Sequence, residues 1–213
     1  MTSKIHSETN NPKVRLRSSA ELDIRKKEFL AICKILDNLK IRYFLHGGIL
    51  LGAIRDKGFI PWDWDVEIAV FTNEISSKKD LLISKFSETV FKIINYEKDS
   101  SKFKIDILGK LPEEVTKYTI MSWNHDIAKK IFWRKNLKIP EHFLLNLIEI
   151  DLFDKSHYVP YPPEDYLKHQ YGDWKTPIQT SNKDVYLTNT YTGKNFLKEF
   201  VKKIIINIKM KLK

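Results

Sequence analysis

Between Pro61 and Val70 the chain reads Pro-Trp-Asp-Trp-Asp-Val-Glu-Ile-Ala-Val, with acids at alternate positions 63, 65 and 67. Strand side chains repeat every second residue, and Val66, Ile68 and Val70 are strand formers. Asp63, Asp65 and Glu67 are therefore expected on one strand face, with neighbours about 7 Å apart. Three like charges in a row repel one another and bring no packing benefit. A divalent cation would turn them into a site, because Mg²⁺ or Mn²⁺ takes carboxylate oxygens and leaves positions open for phosphate. The plain alternative is a solvated strand edge whose charges discourage aggregation.

The segments around this strand restrict the fold further. Residues 1–18 read as a flexible basic arm ending at a helix cap on Ser18 or Ser19. Apolar residues then recur at helical spacing from Glu21 to Leu39. Tyr43-Phe44-Leu45 reads as a short strand running into Gly47-Gly48, and Ile49–Ile54 as a short helix closed by Lys57-Gly58. After the acidic strand, Glu74–Asn95 carries a second long helical pattern, and Phe103–Leu108 alternates as a further strand containing Asp106. Residues 123–133 and 141–148 are mixed, 158–180 is rich in loop signals, and 195–212 reads as a closing helix. This order predicts an α+β domain built on a small mixed sheet flanked by helices, with a loop-rich and helical C-terminal extension.

Composition bounds the partners. The net charge is +10, so nucleic acid, anionic headgroups and phosphorylated substrates all suit the surface. Cys33 is the single cysteine, which excludes an intramolecular disulfide framework and points to a reducing compartment. There is no bilayer-length apolar run and no secretory signal, so a cytoplasmic location is expected. The terminal helix, 196–213, mixes an apolar face with many lysines; it either lies on an anionic membrane or packs on the domain with its lysines in water.

Several residues near the acidic strand suit phosphate chemistry. Gly47-Gly48, between a strand and a helix start, lets phosphate approach free backbone N–H groups; the plain alternative is a tight turn. Arg55 and Lys57 are placed to neutralise phosphate oxygens, or are ordinary surface cations. Asp106 is a candidate third carboxylate beside Asp65 and Glu67, as metal ligand or proton acceptor, if its strand lies beside the first. Trp62 and Trp64 either stack on a base or sugar or pack in the core. The six histidines show no zinc spacing, and His46 stands out only because it precedes Gly47. No Walker loop, Gly-x-Ser-x-Gly elbow or partnered cysteine nucleophile is present.

The run from His46 to Ile68, with Gly47-Gly48, Arg55, Pro61-Trp62-Asp63-Trp64-Asp65 and Glu67, resembles the signature of the LicD family, which includes phosphocholine and ribitol-phosphate transferases. Residues 159–177 are similar to that family's closing motif. The resemblance implies a nucleotidyltransferase-type catalytic domain over 19–195, holding Mg²⁺ or Mn²⁺ on Asp63, Asp65, Glu67 and Asp106. It implies transfer of a phosphoryl-linked group from a CDP-linked donor to a glycan hydroxyl, free or on a lipid-linked precursor. Lipopolysaccharide and teichoic acid are acceptors of that kind, and nucleic acid is not an expected partner. Two departures bear on the donor: Ile49 stands where the family usually has Thr, and Glu67 where it usually has Asp. Nucleotidyl transfer to a small molecule, protein or RNA, and an inactive binding module on the same fold, are the alternative readings.

Overall fold

The computed structural model describes residues 14–97, 99, 102–109, 116–180, 182 and 187. The segment 196–213, expected to be helical, and most of the expected arm lie outside the described residues.

Helix α1 (Ser19–Asn38) starts where the sequence places a cap. The Ser18 hydroxyl accepts from the Glu21 N–H while the Glu21 carboxylate accepts from the Ser18 N–H. Its buried stripe is Arg25, Phe29, Ile32, Cys33 and Leu36, so a cation stands in line with the apolar residues. Strand β1 (Tyr43–His46) is buried throughout and passes directly into α2 (Gly47–Arg55). Strand β2 (Asp65–Phe71) returns antiparallel to β1, pairing His46 with Glu67.

The long helix expected over 74–95 is not formed. The segment divides into α3 (Thr72–Ile75), α4 (Lys79–Ser87) and an edge strand, β3 (Lys92–Glu97). The β-branched residues Ile93 and Ile94 favour a pleated strand, and pairing with β4 (Lys104–Leu108) supplies its hydrogen bonds.

Residues 117–159 then build five strands: β5 (Lys117–Asp126), β6 (Ile131–Arg134), β7 (Leu137–Pro140), and, after the short α5 (His142–Leu145), β8 (Ile148–Leu152) and β9 (Lys155–Val159). The segment at 123–133 therefore belongs largely to the sheet, whereas 141–148 is mostly the short α5 and reaches the sheet only at Ile148. The loop signals after 158 conceal α6 (Pro163–Tyr171), which has proline in its first turn, where a missing N–H costs nothing.

The strands join in the order β3-β4-β5-β2-β1-β9-β8, with β6 on β5 and β7 on β6. The β2–β5 and β1–β9 pairs are parallel and the others antiparallel. The α+β class and the mixed sheet are as expected, but nine strands make the sheet larger than the small one predicted. Its centre is apolar, with Phe44, Leu45, Ile68, Val70, Ile105, Ile107 and Ile120 all buried. The acidic face of β2 is thereby fixed over a rigid support. No helix among the described residues is long and apolar enough to cross a membrane.

Candidate active site

Register decides which side chains meet. Glu67 pairs with Thr119 on β5, which in turn pairs with Asp106 on β4; Asp65 pairs with Lys117. Lateral neighbours in a sheet share a face, so Asp65, Glu67, Lys117, Thr119 and Asp106 all project to one side.

Beside that face lies a cavity of about 130 Å³, lined by Gly47, Gly48, Arg55, Asp63, Asp65 and Glu67 together with His46, Trp62 and Trp64. The glycine pair touches the acids directly. A Cβ on Gly47 would land on Oε2 of Glu67, and one on Gly48 on Oδ2 of Asp63, both far inside contact distance. Gly47 also has φ +63, a conformation that side chains disfavour. The first turn of α2 thus meets two carboxylates head on, and its positive end favours them.

Gly48→Ala is expected to swing Asp63 aside and weaken Mn²⁺ binding at least about tenfold, with melting temperature nearly unchanged. Gly47→Ala should lose about 1–2 kcal/mol of stability in addition, because its backbone conformation becomes strained. Calorimetric Mn²⁺ titrations beside thermal melts separate the two effects.

Each of the other expected residues has a definite place. Arg55 grips Asp56 through two bonds of 2.8 and 2.7 Å and donates to the Trp174 carbonyl at 3.4 Å. Its guanidinium therefore ties α2 to the far wall while lining the cavity. Lys57 is exposed in the turn after α2, at φ 56, and does not line the cavity. Its place in the sequence suggested a phosphate ligand, but the turn that closes α2 carries it outward.

Asp106 shares the face but sits two strands from Glu67, about 10 Å at ordinary strand spacing, and it too is outside the cavity wall. Its carboxylate accepts from Lys104 Nζ and Thr119 Oγ1, both at 2.6 Å. Burial opposes its ionisation, but the bonds from Lys104 and Thr119 and the charge of Lys117 outweigh it. The group is held below the usual carboxylate range. That is the wrong direction for a proton acceptor near neutral pH.

Asp63 behaves oppositely. Desolvation, reinforced by the charges of Asp65 and Glu67 against the pull of Arg25 and Arg17, pushes its carboxyl up to about 7. Excess negative charge gathers where all the facing donors are hard carboxylate oxygens, so the donor set suits Mg²⁺ or Mn²⁺. Among the described residues no three acidic, imidazole or thiol groups stand close enough to grip one ion as placed. Asp65 is turned to Lys117, whose Nζ lies 3.3 Å from its Oδ2.

The opposite wall comes from the closing segment. Gln170 Nε2 donates to the Tyr166 hydroxyl at 2.9 Å, and that hydroxyl meets His46 Nδ1 at 3.0 Å. The Tyr166 hydroxyl thus joins Gln170 to the His46 ring. Burial lowers the His46 pKa to about 4, so the ring is neutral at physiological pH. Trp62 Nε1 donates to the Ile178 carbonyl at 3.2 Å. The two motif segments, a hundred residues apart in sequence, thus face each other across one cavity.

Residues not anticipated from sequence also shape it. Arg25, 1% exposed, donates from Nη1 to the Asp63 carbonyl at 2.7 Å and from Nε to Thr116 at 3.2 Å. A basic residue on the apolar stripe of α1 was its available signal. Tyr166 lay within the closing motif but carried no sign of its role, and Lys117 had no signal at all, since their partners follow from pairing and packing.

Comparison with known proteins finds relatives of one family. The human ribitol 5-phosphate transferase FKRP is 26% identical over 149 residues, covering 62% of this chain and 27% of that protein. The lipopolysaccharide cholinephosphotransferase LicD of Haemophilus influenzae is 35% identical over 89 residues, 42% of this chain and 29% of that protein. The mouse ribitol-5-phosphate transferase FKTN is 25% identical over 164 residues, 73% of this chain and 34% of that protein. The chain thus spans about a third or less of each relative's length. The family model described as the LicD/FKTN/FKRP nucleotidyltransferase domain matches residues 40–162. With more than half of its 213 residues in that match, both glycines and the clustered carboxylates included, the chain belongs to the LicD/FKTN/FKRP family.

Proposed function

We propose that this chain is a metal-dependent phosphotransferase, moving a phosphoryl-linked group from a CDP-linked donor to a hydroxyl of a cell-surface glycan or its lipid-linked precursor. The observation that carries the reading is the closure of the Asp63 and Glu67 carboxylates onto Gly48 and Gly47. Phosphate-binding backbone and cation-binding side chains then share one cavity. Family membership and the phosphate-transferring relatives add to it.

In this reading Asp65 and Glu67, with Asp63, hold Mg²⁺ or Mn²⁺, which neutralises the donor's diphosphate when bound. The α2 N–H groups at Gly47 and Gly48 face the phosphoryl oxygens, and Arg55 borders them. The acceptor oxygen attacks the phosphorus distal to cytidine. The new P–O bond forms as the bond to the bridging oxygen breaks; CMP leaves with that electron pair, and the hydroxyl proton is released to solvent. Asp106 is left out of the proton's path, since it is tied to Lys104 and Thr119. It adds negative charge beside the site.

Nucleotidyl transfer would use the same geometry and release pyrophosphate from a nucleoside triphosphate. Product analysis separates the readings. CMP appearing with acceptor, CDP-linked donor and Mn²⁺ is the expected result, and pyrophosphate from CTP in its place would overturn the proposal.

A further inference from the structure

Lys117 opens β5 directly opposite Asp65 in parallel register. Its ammonium lies 3.3 Å from Asp65 Oδ2 and 4.4 Å from the centre of the Trp64 ring. The paired side chains are 24% and 15% exposed, so water screens them only in part. Asp65 and Trp64 both line the cavity. We propose that Lys117 is the resident counter-cation of Asp65, displaced when a divalent cation binds and then presented to the donor's phosphoryl oxygens. This rests on the metal-dependent reading above.

The reasoning is electrostatic. An ammonium and a divalent cation cannot share one carboxylate at contact distance without strong repulsion in a half-buried setting. The weaker charge is on the longer, flexible stem, so Lys117 is the group that moves. The Trp64 face keeps the displaced ammonium at the cavity rather than releasing it to solvent. The anion arriving at that point is the donor's diphosphate.

Lys117 should therefore oppose metal binding and favour donor binding. A purely structural lysine would not move these two affinities in opposite directions. In Lys117→Met, Mn²⁺ alone is expected to bind roughly tenfold tighter, and CDP at saturating Mn²⁺ roughly tenfold weaker. Lys117→Arg retains the cation and should stay near wild type in both titrations. Lys117→Gln repeats the test if the methionine variant melts early.

Mn²⁺ affinity that is unchanged or lower in a folded Met or Gln variant would overturn the proposal, and so would unchanged CDP affinity. Wild-type protein that binds no Mn²⁺ would remove the metal-dependent reading as well. Normal wild-type binding with an indifferent variant would remove the role of Lys117 alone.

Discussion

Asp65→Asn should lower turnover roughly a thousandfold and abolish measurable Mn²⁺ binding, while the protein remains folded. The amide keeps the size of the carboxylate and removes its charge. Asp65 is the cavity carboxylate that Lys117 neutralises, and its charge also contributes to the raised Asp63 carboxyl. Its removal gives up a largely buried ion pair but relieves the repulsion with Asp63, and the two changes oppose each other in stability. CMP release and calorimetric Mn²⁺ titration, beside circular dichroism, test this directly. A folded Asp65→Asn protein retaining Mn²⁺ affinity and turnover within tenfold of wild type would rule out Asp65 as a metal-holding residue.

Arg25→Ala is expected to cost about 3 kcal/mol or more of folding stability, the range for removing one partner from a buried charged network. Arg25 stands in the buried stripe of α1 and reaches the Asp63 carbonyl, Thr116 and the face of the Phe59 ring. Truncation leaves those acceptors facing a void and loosens the turn that presents Asp63. Arg25→Lys should recover only part of the loss, because one ammonium cannot fork to two separated acceptors. The urea midpoint is the measurement. A shift under about 1 kcal/mol would show that α1 and the acidic turn are held together by apolar packing alone.

Much of the domain was legible along the chain. The Ser18–Glu21 cap, the strand into Gly47-Gly48, the acidic alternation after Pro61 and the strand around Asp106 are all short-range patterns, carried by neighbouring residues. The segment 74–95 reads as one helix because its apolar residues satisfy a helical spacing, while its last residues, from Lys92 on, become strand only by pairing with Lys104–Leu108. Strands β5 to β9 were largely hidden for the same reason, since their hydrogen-bond partners lie elsewhere in the chain.

Residue type and alternation alone determined that Asp65 and Glu67 share one strand face close to a glycine-led helix, while Asp63, expected on the same face, lies in the turn that precedes the strand. Which groups answer those charges was decided only by the tertiary structure. Strand register set Lys117 against Asp65 and gave Asp106 to Lys104 and Thr119, and helix packing brought Arg25 beneath the acidic turn. A backbone period records which way a side chain points. Partners come from distant segments, and their positions are fixed when the whole sheet closes.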